Sequence, residues 1–248
     1  MNGGKLELNK IHLGNSYELI KLIPSKSIDC IYTDIPYLYE SGGFGSSELA
    51  KRIEKTKQSI KDAKIYNGID YAIFEEFIRI SKNINIFIWC SRLQLFEIMQ
   101  FFIPKGYLYQ ILTWNKTNPT PSTNNSWLPD IEYCLHFRGD GSKLNDGYEF
   151  KSKWYVSGLN VNDKKEFDHP TIKPLNLVKR HLLHATQQND IVLDCFSGSG
   201  TTCVACKEIG RQFIGIEIDS NYHKISVDRL NGINAKGQTS IFTDFESL

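Results

Sequence analysis

The chain has 248 residues, 41% of them hydrophobic and 23% charged, with 29 basic against 28 acidic side chains and a net charge of +1. That length suits one large α/β core with room for an embedded insert, so a single domain over 1–248 is expected rather than two catalytic domains. The even charge balance excludes a globally basic field, and without a long apolar span or a signal-like N-terminal run the sequence points to a cytoplasmic protein with no membrane partner.

In chain order, strand-like runs are expected at 10–13, 28–33, 84–90, 107–114, 131–137, 190–194 and 212–217. Helical periodicity fills 16–22, 71–81, 93–102, 174–187, 201–209 and 221–230. This alternation predicts a mostly parallel seven-stranded sheet with helices on both faces. The runs 107–114 and 131–137 have no helix between them, only a loop rich in Pro, Asn, Thr and Ser, and read as an antiparallel pair at one edge. Two segments break the pattern. The first, 38–67, carries glycines at 42, 43 and 45, then Lys51, Arg52, Lys55, Lys57, Lys61 and Lys64 against Glu54 and Asp62, and is expected to be a mobile basic arm facing nucleic-acid phosphates. The second, 139–168, places Tyr148, Phe150, Trp154, Tyr155 and Phe167 among polar residues, with the periodicity of neither a core helix nor a core strand.

The strongest local signal is Asp194-Cys195-Phe196-Ser197-Gly198-Ser199-Gly200-Thr201-Thr202 after the apolar run Ile191-Val192-Leu193. A buried strand ending on a carboxylate, turning through two glycines and starting a helix at Thr201 gathers backbone N–H groups and one acid around a small ligand. A dinucleotide fingerprint would need a third glycine where Cys203 stands. A carboxylate ending the strand also suits an ammonium better than a pyrophosphate. Glu217, at the end of the next strand, can accept hydrogen bonds from both hydroxyls of a ribose, though dehydrogenases use a similar acid. Cys203 and Cys206 have the spacing of a zinc or redox pair, but no second pair or histidine cluster completes a site; core packing and no metal are expected.

Far upstream, the strand-like run Asp29-Cys30-Ile31-Tyr32 leads into Thr33-Asp34-Ile35-Pro36-Tyr37. Asp34-Ile35-Pro36-Tyr37 resembles the Asp-Pro-Pro-Tyr motif of the DNA amino-methyltransferases that modify adenine N6 or cytosine N4, with Ile in place of the first Pro. An exocyclic amino group is a poor nucleophile because its lone pair is delocalised into the ring. A carboxylate (Asp34) and a backbone carbonyl (Ile35) accepting its N–H groups free that lone pair as charge develops. Pro36 favours extended geometry at Ile35, and Tyr37 would stack on a base extruded from the duplex.

Other segments extend the resemblance over roughly 10–230. His169-Pro170-Thr171-Ile172-Lys173-Pro174 looks like the family segment placed over the methionine end of S-adenosylmethionine, with Thr171 and Lys173 near its carboxylate. Thr113-Trp114-Asn115-Lys116-Thr117-Asn118-Pro119 resembles the segment lining the target-base pocket. Leu13-Gly14-Asn15 falls where the family usually has Gly-Asp at the cofactor adenine, Asn15 keeping one acceptor. The order of tetrapeptide, recognition region and cofactor turn is that of the beta group of the family. The resemblance implies a Rossmann-like methyltransferase fold. It also implies S-adenosylmethionine bound by Asn15, Asp34, Thr171, Lys173, Asp194, Phe196, Gly198, Gly200, Thr201 and Glu217, with catalysis at Asp34, Ile35, Pro36 and Tyr37. The partner would be double-stranded DNA, read by the insert at 139–168, whose shortness implies either a short target sequence or a homodimer supplying further contacts; the family includes both solitary enzymes and companions of a restriction endonuclease.

Adenine N6 is the leading target, because Asp heads the tetrapeptide more often in adenine enzymes. Cytosine N4, an RNA target, a catalytically silent nucleic-acid-binding relative and a dehydrogenase remain the alternatives.

Overall fold

The computed structural model describes residues 5–38, 68–119, 121, 127–142, 144, 145, 147, 151–159, 166, 167 and 172–239. The basic arm beyond Leu38, with its glycines and Lys51–Lys64 cluster, lies outside these residues, as do Tyr148, Phe150 and the stretch Asp168 to Thr171.

Eight strands form one sheet: β1 (Lys10–Leu13), β2 (Cys30–Asp34), β3 (Asn85–Cys90), β4 (Leu108–Lys116), β5 (Ile131–Arg138), β6 (Trp154–Ser157), β7 (Ile191–Asp194) and β8 (Gln212–Glu217). Their spatial order is β1-β8-β7-β2-β3-β5-β4-β6. All pairings are parallel except those of β5 with β3 and β4. Among the described residues six α-helices accompany the sheet: α1 (Ser16–Leu19), α2 (Ile73–Ile80), α3 (Leu95–Phe102), α4 (Leu175–Ala185), α5 (Thr201–Glu208) and α6 (Ser220–Leu230).

The central strands are apolar without a break because both faces are buried. Along β3, Ile86, Ile88 and Cys90 join a core with α2 and α3, while Phe87 and Trp89 join the opposite core with α4 and α5. Cys203 and Cys206 are fully buried in that second core, and burial raises their thiol pKa values well above the ordinary range. They pack as small hydrophobes.

The fold is the expected α/β sheet with two corrections at one end. There are eight strands, not seven. The antiparallel member β5 is wedged between β3 and β4, and the edge itself is β6, contributed by the 139–168 insert. Trp154 and Val156 are exposed while Tyr155 and Ser157 are partly buried, so an edge strand with one covered face lacked a core-strand pattern.

Candidate active site

Strands β1, β8, β7 and β2 are adjacent and parallel, so their carboxyl ends share one edge of the sheet. That edge carries Asn15 just after β1, Glu217 at the end of β8, Asp194 at the end of β7 and Asp34 at the end of β2. Topology thus converges four residues that the sequence spreads over two hundred positions.

The glycine turn after β7 is held by short-range bonds. Asp194 Oδ1 accepts from Phe196 N (3.2 Å) and from Thr33 Oγ1 on β2 (2.9 Å). Burial pushes the Asp194 carboxyl up to about 7, against the opposing hydrogen bonds from Thr202, Thr33 and Phe196. Gly198 and Gly200 have φ of 49° and 75°, a conformation that favours glycine, and a Cβ on Gly200 would sit 3.0 Å from Ser226 Cβ. Glu217 Oε2 accepts from Gly198 N (2.7 Å) and Oε1 from Asp219 N (2.9 Å), which ties the β8 end to the turn. A carboxylate offers about four acceptor positions, so each oxygen keeps capacity for a ligand hydroxyl. Asn15 caps α1, its Oδ1 accepting from Tyr17 N at 2.9 Å, and Gly14 N donates to Glu217 O at 2.8 Å. The cap needs only an acceptor oxygen, which Asn supplies as well as Asp would. Thr201 opens α5, and its hydroxyl accepts from the buried Arg229 at 2.7 Å; that guanidinium also donates to Ser199 O at 3.2 Å and lies 5.1 Å from the Phe167 ring.

The tetrapeptide is built differently. Ile35 is buried in the core and its N–H donates to Trp89 O at 3.2 Å, continuing the β2–β3 pairing past Asp34. A proline at 35 would forfeit that bond, so Ile holds the segment by means a proline lacks. Gln94, wholly buried, donates through Nε2 to Pro36 O (3.0 Å), while its Oε1 accepts from Leu38 N (3.2 Å) and Ser91 N (3.1 Å). One side chain thereby clamps the peptide on both sides of Tyr37.

Asp34 contacts one charged side chain that the sequence places far away, and through it a chain of two more. Its Oδ2 accepts from Lys173 Nζ at 2.6 Å. Lys173 also pairs with Glu132 Oε2 (2.8 Å) and donates to Tyr37 Oη (3.1 Å), and Glu132 Oε1 pairs with Lys116 (2.8 Å). Trp89 lies 5.0 Å beneath the Lys173 ammonium. Burial alone would depress the Lys173 pKa, but Asp34 and Glu132 overcome it and raise it. Burial would lift Glu132, yet Lys173 and Lys116 bring it down to about 2. Loss of hydration raises Asp34, Lys173 works against that, and Glu132 adds to it. Asp34 Oδ1 is shielded from solvent and has no hydrogen-bond partner. An acceptor left so is costly unless something fills it.

The structure gathers Asn15, Asp34, Ile35, Pro36, Tyr37, Lys173, Asp194, Phe196, Gly198, Gly200, Thr201 and Glu217 along this edge; Thr171 lies outside the described residues. Trp114 is buried on the α4 side of the sheet and donates to Ser157 Oγ at 2.9 Å, so it supports the pocket wall from within. Sequence reasoning missed Gln94, Lys116 as an ion-pair partner, Glu132 and Arg229. Glu132 left one signal: it shares the strand face of buried Cys134, where a charge has no place without a partner.

A glycine turn and the Glu217 acid on one side and the Asp34 tetrapeptide on the other make up the arrangement an α/β methyltransferase requires. Comparison with known proteins narrows this further. The profile of a DNA methylase family, the N6/N4 methyltransferases, matches residues 28–228, and the chain belongs to that family. It is 30% identical over 236 residues to the Type II methyltransferase M2.LlaDCHI of Lactococcus lactis subsp. cremoris, covering 88% of this chain and 87% of the relative. It is 29% identical to M2.DpnII of Streptococcus pneumoniae, covering 91% of each. Among solved structures, M1.HpyAVI superposes with a TM-score of 0.64 at 25% identity, covering 90% of this chain and 98% of that one. The cytosine-N4-specific PvuII DNA methyltransferase gives 0.66 at 17% identity, covering 96% and 88%, a likeness of fold alone. The cofactor is S-adenosylmethionine, and the residues present fit it: a turn of positive-φ glycines, a buried acid for an ammonium and Glu217 for a ribose. No helix among the described residues is long and apolar enough to cross a membrane.

Proposed function

We propose that this chain methylates the N6 amino group of adenine at specific sites in double-stranded DNA. The observation that carries the reading is the Asp34 carboxylate, held by Lys173 at 2.6 Å at the carboxyl edge of the sheet with 35% of its side chain exposed, beside an anchored Ile35. A target base must leave the duplex to reach this carboxylate, and the Tyr37 ring offers it a stacking face. The amino group donates one N–H to the Asp34 carboxylate and the other to the Ile35 carbonyl, which localises the nitrogen lone pair. Both acceptors favour the positive charge that grows on nitrogen. Bound S-adenosylmethionine supplies an electrophilic methyl on a sulfonium. Asp194 would hold its ammonium, Glu217 its ribose hydroxyls and Asn15 its adenine. Gln94 and Trp89 keep the acceptor peptide still, so little reorganisation is needed at the moment of reaction.

Adenine is favoured over cytosine because aspartate heads the tetrapeptide, which is commoner among adenine enzymes. The test is nucleoside analysis of DNA methylated by the purified chain, joined to single-molecule sequencing of DNA from cells that express it. N6-methyladenine at one short motif is expected. N4-methylcytosine alone would overturn the base assignment while leaving the acceptor chemistry intact.

A further inference from the structure

Lys173 stands in a segment whose family resemblance places it at the cofactor carboxylate, yet its ammonium is already engaged. It makes 2.6 and 2.8 Å ion pairs to Asp34 and Glu132 and a 3.1 Å hydrogen bond to Tyr37, which uses all three of its N–H groups. Glu132 is equally committed: Oε2 to Lys173, with Tyr37 Oη at 3.3 Å, and Oε1 to Lys116. Lys116, Glu132 and Lys173 are all largely buried, with 12%, 19% and 12% of their side chains exposed. A charged chain of this kind is held in one arrangement, because freeing any member leaves its neighbour as an uncompensated charge.

The consequence falls on Asp34. A carboxylate can rotate about its last bond, and the Lys173 contact fixes that rotation. We propose that Glu132 and Lys173 are a positioning pair for Asp34. Glu132 holds the ammonium, the ammonium holds Oδ2, and the carboxylate is thereby fixed at the sheet edge as the acceptor for the target amino group. This rests on the amino-methyltransferase reading and deepens it. Lys173 thus serves the acceptor side of the site. The arrangement needs the antiparallel β5, whose first residues lie at the same sheet edge as the last residues of β2.

The test uses the full chain and the variants Lys173→Gln, Lys173→Arg and Glu132→Gln, each checked by its thermal midpoint. Carboxyl titration by carbon-13 NMR reports on Asp34 without turnover. The groups facing Asp34 and Lys173 are Glu132 and Cys134 from β5, Lys116 from β4, Cys90 from β3, Asp194 from β7 and Tyr32 and Tyr37 along β2 and its extension. Lys173→Gln removes a cation and should move the Asp34 titration to higher pH. Glu132→Gln removes an anion and should move it to lower pH. Both should lower kcat by about 10–100-fold, the order expected of a misplaced acceptor, with the dissociation constant for S-adenosylmethionine changed less than about threefold. Lys173→Arg should recover part of kcat.

Shifts of the same sign in the two variants would overturn the pair. So would a Lys173→Gln chain whose cofactor affinity collapses while kcat holds. If an unstable Glu132→Gln chain blurs the result, Lys116→Gln replaces it, loosening the same carboxylate from outside with a smaller loss of kcat expected; no loss would overturn the chain of contacts. A wild-type chain that methylates no DNA would defeat the functional reading instead, while the titrations would still judge the pair.

Discussion

The two halves of the active edge are built on opposite plans. On the cofactor side, many of the deciding bonds are local: Asp194 to Phe196 N, Glu217 to Asp219 N and Asn15 to Tyr17 N each span two residues. On the target side, Lys173 reaches Asp34 across 139 positions and Tyr37 reaches Glu132 across 95. Both halves are packed: Asp194 is 3% and Glu217 8% exposed, and the Lys116, Glu132 and Lys173 side chains are 12%, 19% and 12% exposed. A cofactor of constant shape can be held by backbone and glycine geometry. A base that must enter and leave is better met by charged side chains from several strands.

If that division is real, damage should stay on its own side. Asp34→Ala is the most severe case: losing a preorganised acceptor should lower kcat by about 10²–10³ and change cofactor affinity little. Single-turnover kinetics with calorimetry check both. A comparable collapse of cofactor binding would break the comparison.

The pH dependence of cofactor binding tests the other half. The Asp194 carboxyl stands at about 7 in the free chain, because burial outweighs its hydrogen bonds. An ammonium ligand favours the ionised form, so below pH 7 a proton must be expelled before binding. Affinity for S-adenosylmethionine should therefore weaken by about tenfold for each pH unit below 7, and Asp194→Asn should flatten the curve. The sign is opposite for folding alone. A carboxyl whose native pKa lies above its unfolded value makes the native state bind more protons, so this group's contribution to stability falls as pH rises from 3.8 to about 7.

Glu217→Ala should act only through the cofactor. Leaving ribose hydroxyls and two backbone N–H groups without their acceptor costs roughly 1–3 kcal/mol, read as about a tenfold or greater rise in dissociation constant with kcat preserved at saturation. Tyr37→Phe should give the smallest effect. It keeps the stacking face and loses the hydroxyl contacts, those to Lys173, Glu132 and Asp34 among them, worth about 0.5–1.5 kcal/mol each in kcat/KM for DNA. An effect as large as that of Asp34→Ala would mean the phenol itself takes part in the chemistry.

The contrast also explains what could be read early. The Asp194-to-Thr202 turn is short and its glycines answer to positive φ, so it was legible from its residues, whereas the 34–37 tetrapeptide was legible through its resemblance to a family motif. The edge strand β6 was not, because a strand covered on one face and lying at a rim carries a weak pattern. Gln94 was invisible because nothing in a Gln beside a helix start reveals that it will be fully buried against Pro36 and Leu38.

By itself the sequence determined the α/β class, seven of the eight strands, the glycine turn and the acid at the end of β8, which follow from periodicity or local backbone geometry acting over a few residues. The 34–37 tetrapeptide was legible through its resemblance to a family motif. Only the tertiary structure decided that Lys116, Glu132 and Lys173 would close around Asp34. It did so by inserting β5 antiparallel between β3 and β4, which brings the first residues of that strand to the edge where its neighbours end. Strand direction depends on long-range pairing, so no local pattern could assign Glu132 to the site.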